Sequence, residues 1–241
     1  MTEKLSVDER FKNIEHNLCH INEQITLSAK KSGRTREDIK LMAVTKTVEP
    51  IFINHAIECG IDLIGENKVQ EFLSKYEYLK LEKCKAHLIG HLQTNKVKQI
   101  LPFVSMVQSL DSLKLAKEIE KQSEKLGIDT DCLIEVNVGE EESKTGIAFD
   151  EVTPLIEEIS KMQHVKVKGL MSVPPICEEK AQLCKYFEKM HHLFVDISRQ
   201  NIDNITMCFL SMGMSGDFNE AILCGANMVR VGSSIFGPRL Y

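Results

Sequence analysis

The chain has 241 residues, enough to bury one sizeable core, and its 30 basic and 35 acidic residues give a formal net charge of -5. This balance argues against a dedicated nucleic-acid-binding or membrane-surface protein, because both classes carry an excess of positive charge. No apolar run is long enough to cross a bilayer, and the first ten residues lack the apolar core and cleavage site of a secretory signal. We therefore expect a cytoplasmic protein with neither a nucleic-acid nor a membrane partner.

The pattern of apolar residues predicts one long helix and then alternating strands and helices. The first helix, over 6–32, has apolar residues at helical spacing and is stopped by Ser32 and Gly33. Helical patterns over 112–126 and 178–199 are typical of the segments that separate the strands. The predicted strands are 41–47, 61–65, 86–90, 104–109, 131–138, 165–172, 206–212 and 228–232.

These strands are apolar on both faces, which indicates a parallel sheet covered by helices. Eight strand–helix units in a chain of this length favour a closed (β/α)8 TIM barrel over an open sheet. We therefore expect an α/β protein, a single barrel domain over 1–241 with an extra N-terminal helix.

The eight cysteines are scattered singly, with no CxxC pair, so we expect free thiols rather than a disulfide framework. Two groups of possible metal ligands exist, His16 with Cys19 and His20, and His87 with His91. Neither group has the further ligands that a zinc site needs. The sequence therefore predicts no metal site.

The first predicted strand carries a lysine on its apolar face, because Met42, Val44 and Lys46 share one side of an extended chain. A buried ammonium is costly unless it is paired, neutralised or used covalently. Two interpretations stay open. Lys46 is the end of a strand whose side chain reaches water, or it is a desolvated amine that forms a Schiff base with a carbonyl compound.

Glycines and polar residues recur at the carboxyl ends of nearly all the predicted strands, and each such loop taken alone is an ordinary turn. In a TIM barrel this end carries the active site, so the recurrence predicts a ring-shaped site. The segments are 45–47, 65–67, 90–95, 137–139, 142–146, 171–172, 211–216 and 232–234.

The last two of these loops indicate a phosphate. Gly213 and Gly216 permit a tight turn that exposes backbone N–H groups, and Asp217 with Glu220 has the spacing of a capping box. Residues 232–234, Gly-Ser-Ser, add backbone donors and two hydroxyls. In TIM barrels the loops after strands seven and eight often bind phosphate. The absence of Walker and GxGxxG patterns argues against ATP or a dinucleotide.

Arg230 lies between two valines on the last predicted strand, so its guanidinium should point into the barrel and needs an acceptor there. A salt bridge with Glu66 or Glu135 is one possibility, and contact with a ligand is the other. Together with Lys46 and a phosphate site, an arginine suits the ring nitrogen of pyridoxal phosphate. Since strands one and eight are neighbours in a closed barrel, Lys46 and Arg230 could address opposite parts of one ring.

Several motifs resemble those of the pyridoxal phosphate homeostasis proteins. They are AVTK (43–46), IGENKVQE (64–71), HLIGHLQTNK (87–96), EVNVGEEESKTG (135–146, with one extra Glu), GLMSVPP (169–175), and LSMGMSGDFNEAI (210–222) through VRVGSSIFGPR (229–239). The resemblance covers nearly the whole chain after the first helix, and it implies an alanine-racemase-like N-terminal barrel.

The resemblance also implies that Lys46 holds pyridoxal 5′-phosphate as a Schiff base. By the same motifs the cofactor-binding residues would be Ser211 or Ser215 with Gly232, Ser233 and Ser234 at the phosphate, Arg230 at the ring nitrogen, and Asn67 and His91 along the pocket. Lys144, in the loop 139–146, is either a solvated surface lysine or a second amine that assists exchange.

The first hypothesis is intracellular carriage of the cofactor, with release to PLP-accepting apoenzymes when a free amine displaces Lys46. A lone barrel with an acidic, charge-rich exterior is compatible with a monomer. Fold-type III racemases take a second acid/base tyrosine from a further domain, whereas this sequence stops at Tyr241, just after the last predicted strand. An arginine at the ring nitrogen also weakens the cofactor as an electron sink, so we expect little or no amino-acid turnover.

Two alternatives from the enzyme class remain. One is a racemase or lyase of fold type III whose missing base comes from a cysteine, from His91 or from a partner chain. The other is a Schiff-base aldolase that acts on a sugar phosphate, which would use the same lysine and phosphate loops but would be colourless.

Overall fold

The computed structural model describes residues 6–141 and 145–238. In this part of the chain eight parallel strands form a closed barrel, in which the strands are ordered as in the sequence and the last pairs with the first. The strands are β1 Lys40–Val44, β2 Leu63–Glu66, β3 Lys85–Leu88, β4 Met106–Leu110, β5 Thr130–Glu135, β6 Val165–Met171, β7 Ile205–Ser211 and β8 Met228–Val231. The predicted TIM barrel is confirmed.

Helices connect the strands and cover the barrel. Within the described ranges they are α1 Val7–Lys31, α2 Pro50–Glu58, α3 Val69–Lys75, α4 Val97–Ile100, α5 Leu113–Leu126, α6 Val152–Ile159, α7 Lys180–Ser198, α8 Phe218–Leu223 and α9 Ser233–Phe236. None of these helices combines the length and the apolar character that a membrane span requires. The eight cysteines all fall within the described residues and carry free thiols.

Helix α1 is the predicted extra helix, and its ends are set by local chemistry. Ser6 and Glu9 form a capping box, in which the Ser6 hydroxyl accepts from the Glu9 N–H at 3.2 Å and Glu9 accepts from the Ser6 N–H at 2.8 Å. Ile14, Leu18 and Ile21 recur at helical spacing and are buried. This apolar stripe packs α1 against α2, α8 and α9, across the seam between the first and last strands.

The strands separate two apolar regions. One side of each strand packs under the helices in the main core, which contains Ile64, Val107 and Val167. The other side fills the barrel interior, where methionines are prominent because a flexible thioether fits irregular space. The interior residues include Met42, Leu63, Met106, Leu133, Met171 and Met228.

Gly169 on β6 has no room for a side chain, since a Cβ would lie 1.9 Å from the carbonyl oxygen of Phe209, and its φ is +145°. Gly127, which ends α5 with φ +65°, has nothing within 4 Å of the same position. We expect Gly127→Ala to lower the free energy of unfolding by about 1 kcal/mol from backbone strain alone. Gly169→Ala, with strain and a backbone clash, should lose more than about 3 kcal/mol. Urea unfolding followed by circular dichroism compares the two, and equal losses would contradict this account.

Candidate functional site

Lys46 lies at the barrel mouth, two residues beyond the end of β1, where it is half-buried. Strand β1 is therefore shorter than predicted, because the chain turns away after Val44. Lys46 lines a cavity of about 250 Å³ together with Gly232 and Ser233, which follow β8. The pairing of β8 with β1 thus brings the predicted lysine beside the predicted phosphate loop.

The loops after β7 and β8 meet at Ser215. Its hydroxyl oxygen accepts hydrogen bonds from the backbone N–H of Gly232 at 3.2 Å and of Ser234 at 3.4 Å. The hydroxyl of Ser234 in turn donates to the Ser215 carbonyl at 3.5 Å. Gly232 packs closely here, since a Cβ would lie 3.3 Å from Val44 on the neighbouring strand. Two N–H groups therefore converge on one oxygen atom beside the cavity that Lys46 lines.

The predicted capping box before α8 is wrong. Asp217 makes no side-chain hydrogen bond to the start of the helix, and its carboxylate instead accepts from the Met214 N–H within the preceding loop. Glu220 pairs with Lys180 of α7. Asp217 thus closes the glycine-rich loop, and burial raises the pKa of its carboxyl group.

Arg230 projects into the barrel interior, as predicted, and is only 4 % exposed. One guanidinium nitrogen donates to the Ser211 hydroxyl and another to the Ser172 carbonyl, both at 2.8 Å. Burial lowers the pKa of Arg230 to about 10, opposed by the charges of Glu135 and Asp217. The guanidinium therefore remains charged at neutral pH and is held in place by neutral acceptors.

The proposed salt bridges of Arg230 are not formed. Glu66, at the end of β2, lies on the helix-covered side of the barrel and pairs with Lys75 of α3 at 2.6 Å. Glu135 accepts a hydrogen bond from Thr145 at 2.6 Å and acts on Arg230 only through its charge. Burial raises the pKa of Glu135.

A chain of hydrogen bonds continues from Arg230 through the barrel. The Ser211 hydroxyl donates to Gln108 Oε1 at 2.8 Å, and Gln108 Nε2 lies 2.9 Å from His87 Nδ1. Burial lowers the pKa of His87 to about 3, so the imidazole is neutral and can accept through Nδ1. Ser211 therefore lies with Arg230 and not with Ser215. The link that Gln108 makes between Ser211 and His87 was not predicted from the sequence, although Gln108 is a polar residue in the apolar run MVQSL.

The rim of the barrel carries the other predicted residues. Asn67, after β2, has a buried side-chain oxygen with no hydrogen-bond partner, and so do Glu135 (Oε2) and Ser172 (Oγ). His91 is exposed, with Nδ1 3.0 Å from Asp111. Buried polar atoms without partners are rare in folded proteins. Three of them at the carboxyl ends of β2, β5 and β6 indicate that this end of the barrel accommodates a polar ligand.

The two histidines considered as possible metal ligands, His87 and His91, are not brought together. Lys144 lies outside the described residues, and His87 is inside the barrel while His91 is at its rim. Within residues 6–141 and 145–238, one group of three possible metal-ligating atoms lies within 4.8 Å of one another, and it consists of Glu15, His55 and Cys59. It joins α1 to α2 through a 3.0 Å contact between His55 and Glu15.

Comparisons with known proteins agree with this architecture. Residues 13–239 match the family model described as alanine racemase, N-terminal domain. The chain is 43% identical over 224 residues to the pyridoxal phosphate homeostasis protein of Aquifex aeolicus (strain VF5), covering 93% of this chain and 97% of that protein. It is similar to the crystal structure of an unknown protein from Bifidobacterium adolescentis, with TM-score 0.91, 30% identity and coverage of 97% and 98%. It is also similar to PipY of Synechococcus elongatus PCC7942 with PLP bound, with TM-score 0.81, 26% identity and coverage of 93% and 100%.

The neutral His87 makes the stability of the fold depend on pH. Below its ordinary pKa of 6.5 the unfolded chain takes up a proton at His87 and the folded protein does not, so stability falls as the pH falls. Between about pH 7.5 and about pH 5 the loss from this group should be roughly 2 kcal/mol. We expect His87→Gln, which does not titrate, to lose less stability than the wild type over this interval in urea unfolding. Parallel pH profiles for the two proteins would contradict the assignment.

Proposed function

The chain belongs to the family of pyridoxal phosphate homeostasis proteins, and we propose that it binds pyridoxal 5′-phosphate at the barrel mouth. The observation that carries the proposal is that Lys46, Gly232 and Ser233 line the same cavity. PipY, which shares the fold, has been solved with PLP bound. When bound, the cofactor supplies an aldehyde that an amine can attack and a ring that withdraws electrons.

The residues present fit each part of this cofactor. The N–H groups of Gly232 and Ser234 converge on the Ser215 oxygen, so the same donors suit a phosphate oxygen, and Ser233 adds a hydroxyl at the same loop. The Lys46 amine would hold the aldehyde through a Schiff base. Asn67, with its unpaired oxygen, and His91 lie at the same rim of the barrel, where they would contact the rest of the cofactor.

Arg230 faces the ring nitrogen in this proposal, with Ser211 orienting the guanidinium. A permanent positive charge there disfavours protonation of the nitrogen, because a second cation beside it would be repelled. An unprotonated ring stabilises a carbanion poorly. The site is therefore suited to holding the cofactor rather than to turning over amino acids.

We further propose that the protein carries the cofactor within the cytoplasm as a monomer and passes it to apoenzymes that require it. The name shared by the relatives supports a part in homeostasis. An incoming amine that took over the C=N bond would free the Lys46 amine, so Lys46 is the residue whose bond would control release.

The first test is the covalent bond. We expect the purified protein, incubated with pyridoxal 5′-phosphate, to be yellow, and borohydride reduction followed by peptide mass mapping to find the adduct on Lys46. Lys46→Ala should lose the visible band, whereas Lys98→Ala, an exposed lysine on α4, should keep it. A wild-type protein that stays colourless would overturn the cofactor assignment and favour the sugar-phosphate aldolase.

The second test separates carriage from catalysis. We expect no sustained exchange of the α-proton when the loaded protein is incubated with alanine in D₂O and followed by proton NMR. Free pyridoxal phosphate and Lys46→Ala give the background rate. Turnover well above that background would support the racemase or lyase and would exclude a purely carrying role.

A further inference from the structure

The backbone on both sides of Lys46 is held by three charged side chains, which we call the α3 clamp: Glu66 at the end of β2, with Glu71 and Lys75 of α3. On the side before Lys46, the Lys75 ammonium donates to the Thr45 carbonyl at 2.9 Å. The Thr45 hydroxyl donates to Glu66.

On the side after Lys46, the Thr47 N–H donates to Glu71 at 2.5 Å. Lys75 joins the two halves, since its ammonium lies 2.6 Å from Glu66 and 3.1 Å from Glu71. The clamp therefore holds the residue before Lys46 and the residue after it.

The clamp is costly to bury. The side chain of Glu66 is 0 % exposed and that of Lys75 is 8 % exposed, and one oxygen of Glu66 has no hydrogen-bond partner. Burial raises the pKa of Glu66, although the Lys75 charge opposes the change. Replacing buried ion pairs with well-packed apolar residues is often neutral or stabilising. Stability alone therefore does not explain why these charges surround the two neighbours of Lys46.

The backbone at Thr47 gives an independent reason. Its φ of +62° is in the left-handed region, which is strained for a β-branched residue. This is the turn by which the chain leaves the barrel directly after Lys46. The Glu71 hydrogen bond to the Thr47 N–H opposes relaxation of the turn, so it also determines the direction from which the lysine enters the cavity.

We propose that the α3 clamp is a positioning device that holds the Lys46 amine in line for reaction with the cofactor aldehyde. The inference rests on the proposed function for the identity of the reacting carbonyl. In that reaction the Lys46 nitrogen attacks the aldehyde carbon, a C=N bond forms and the carbonyl oxygen leaves as water. The clamp touches none of these atoms, so its loss should slow formation of the bond and leave phosphate-directed binding unchanged.

Glu71 is the side chain to change, because it is partly exposed and its removal leaves the buried Glu66–Lys75 pair intact. Glu71→Ala removes the acceptor for Thr47, whereas Glu71→Gln keeps an oxygen there. Lys80→Met, which breaks an exposed ion pair with Glu58, is the control for loss of a surface charge pair.

Stopped-flow absorbance gives the rate at which the Schiff base forms, and titration with pyridoxine 5′-phosphate, which has no aldehyde, gives non-covalent affinity. We expect Glu71→Ala to slow formation of the Schiff base at least about tenfold, because a small misplacement of a reacting group lowers the reaction rate strongly. Glu71→Gln and Lys80→Met should stay near the wild type, and pyridoxine phosphate affinity should not change in any variant. An unchanged rate in Glu71→Ala, or an equal fall in Glu71→Ala and Glu71→Gln, would overturn the proposal.

Hydrogen exchange of the ligand-free protein tests the clamp without the cofactor. The Thr47 amide should exchange at least about tenfold faster in Glu71→Ala than in the wild type or Lys80→Met, because it loses its acceptor. Unchanged exchange would overturn the clamp itself. If exchange rises but the wild type yields no adduct on Lys46, the clamp is supported and the proposed function is the part that fails.

Discussion

The pairing of β8 with β1 is the constraint on which the site depends. The register places Met42 opposite Arg230 and so brings the end of β1 next to the loop after β8. Residues almost two hundred positions apart, Lys46 and Gly232, then share one cavity. A one-residue shift of β8 would turn Arg230 out of the barrel, because side chains alternate between the two faces.

The N-terminal helix stabilises this seam from outside. Asn17 donates to the Ile235 carbonyl in α9 at 3.0 Å, and Ser28 donates to Asn219 of α8 at 2.9 Å. Arg34, just past the end of α1, donates to the Ala226 carbonyl before β8 at 2.8 Å. Helix α1, which is additional to the barrel, thus holds in place the segments that carry the loops after β7 and β8.

The barrel, and the position of Lys46 near the carboxyl end of its first strand, could be predicted from the sequence because both depend on periodicity, which is local. The end of β1 could not be predicted, since the left-handed turn at Thr47 is held by a hydrogen bond to Glu71, more than twenty positions away.

The sequence also left Ser211 and Ser215 as equivalent candidates for the phosphate site. The structure separates them because Ser211 is still in β7 and points inward with Arg230, whereas Ser215 lies beyond the turn at Gly213. The partners considered for Glu66 and Asp217, Arg230 and the start of α8, are not the ones observed. The partner of a side chain depends on the side of the strand or loop from which it projects. Glu66 emerges beside α3, and Asp217 turns back into its own loop.

The chemistry of the phosphate donors is compatible with the proposed role in which the protein releases the cofactor. In the proposed complex the phosphate is held by the N–H groups of Gly232 and Ser234 and by serine hydroxyls, all of them neutral. Arg10 also lines the cavity but pairs with Glu49 at 3.4 Å. Neutral hydrogen bonds each contribute about 0.5–1.5 kcal/mol net, roughly half of what charged groups contribute. In the proposed complex a large share of the affinity would then come from the bond to Lys46, so exchange of that bond with an incoming amine would also favour dissociation of the cofactor.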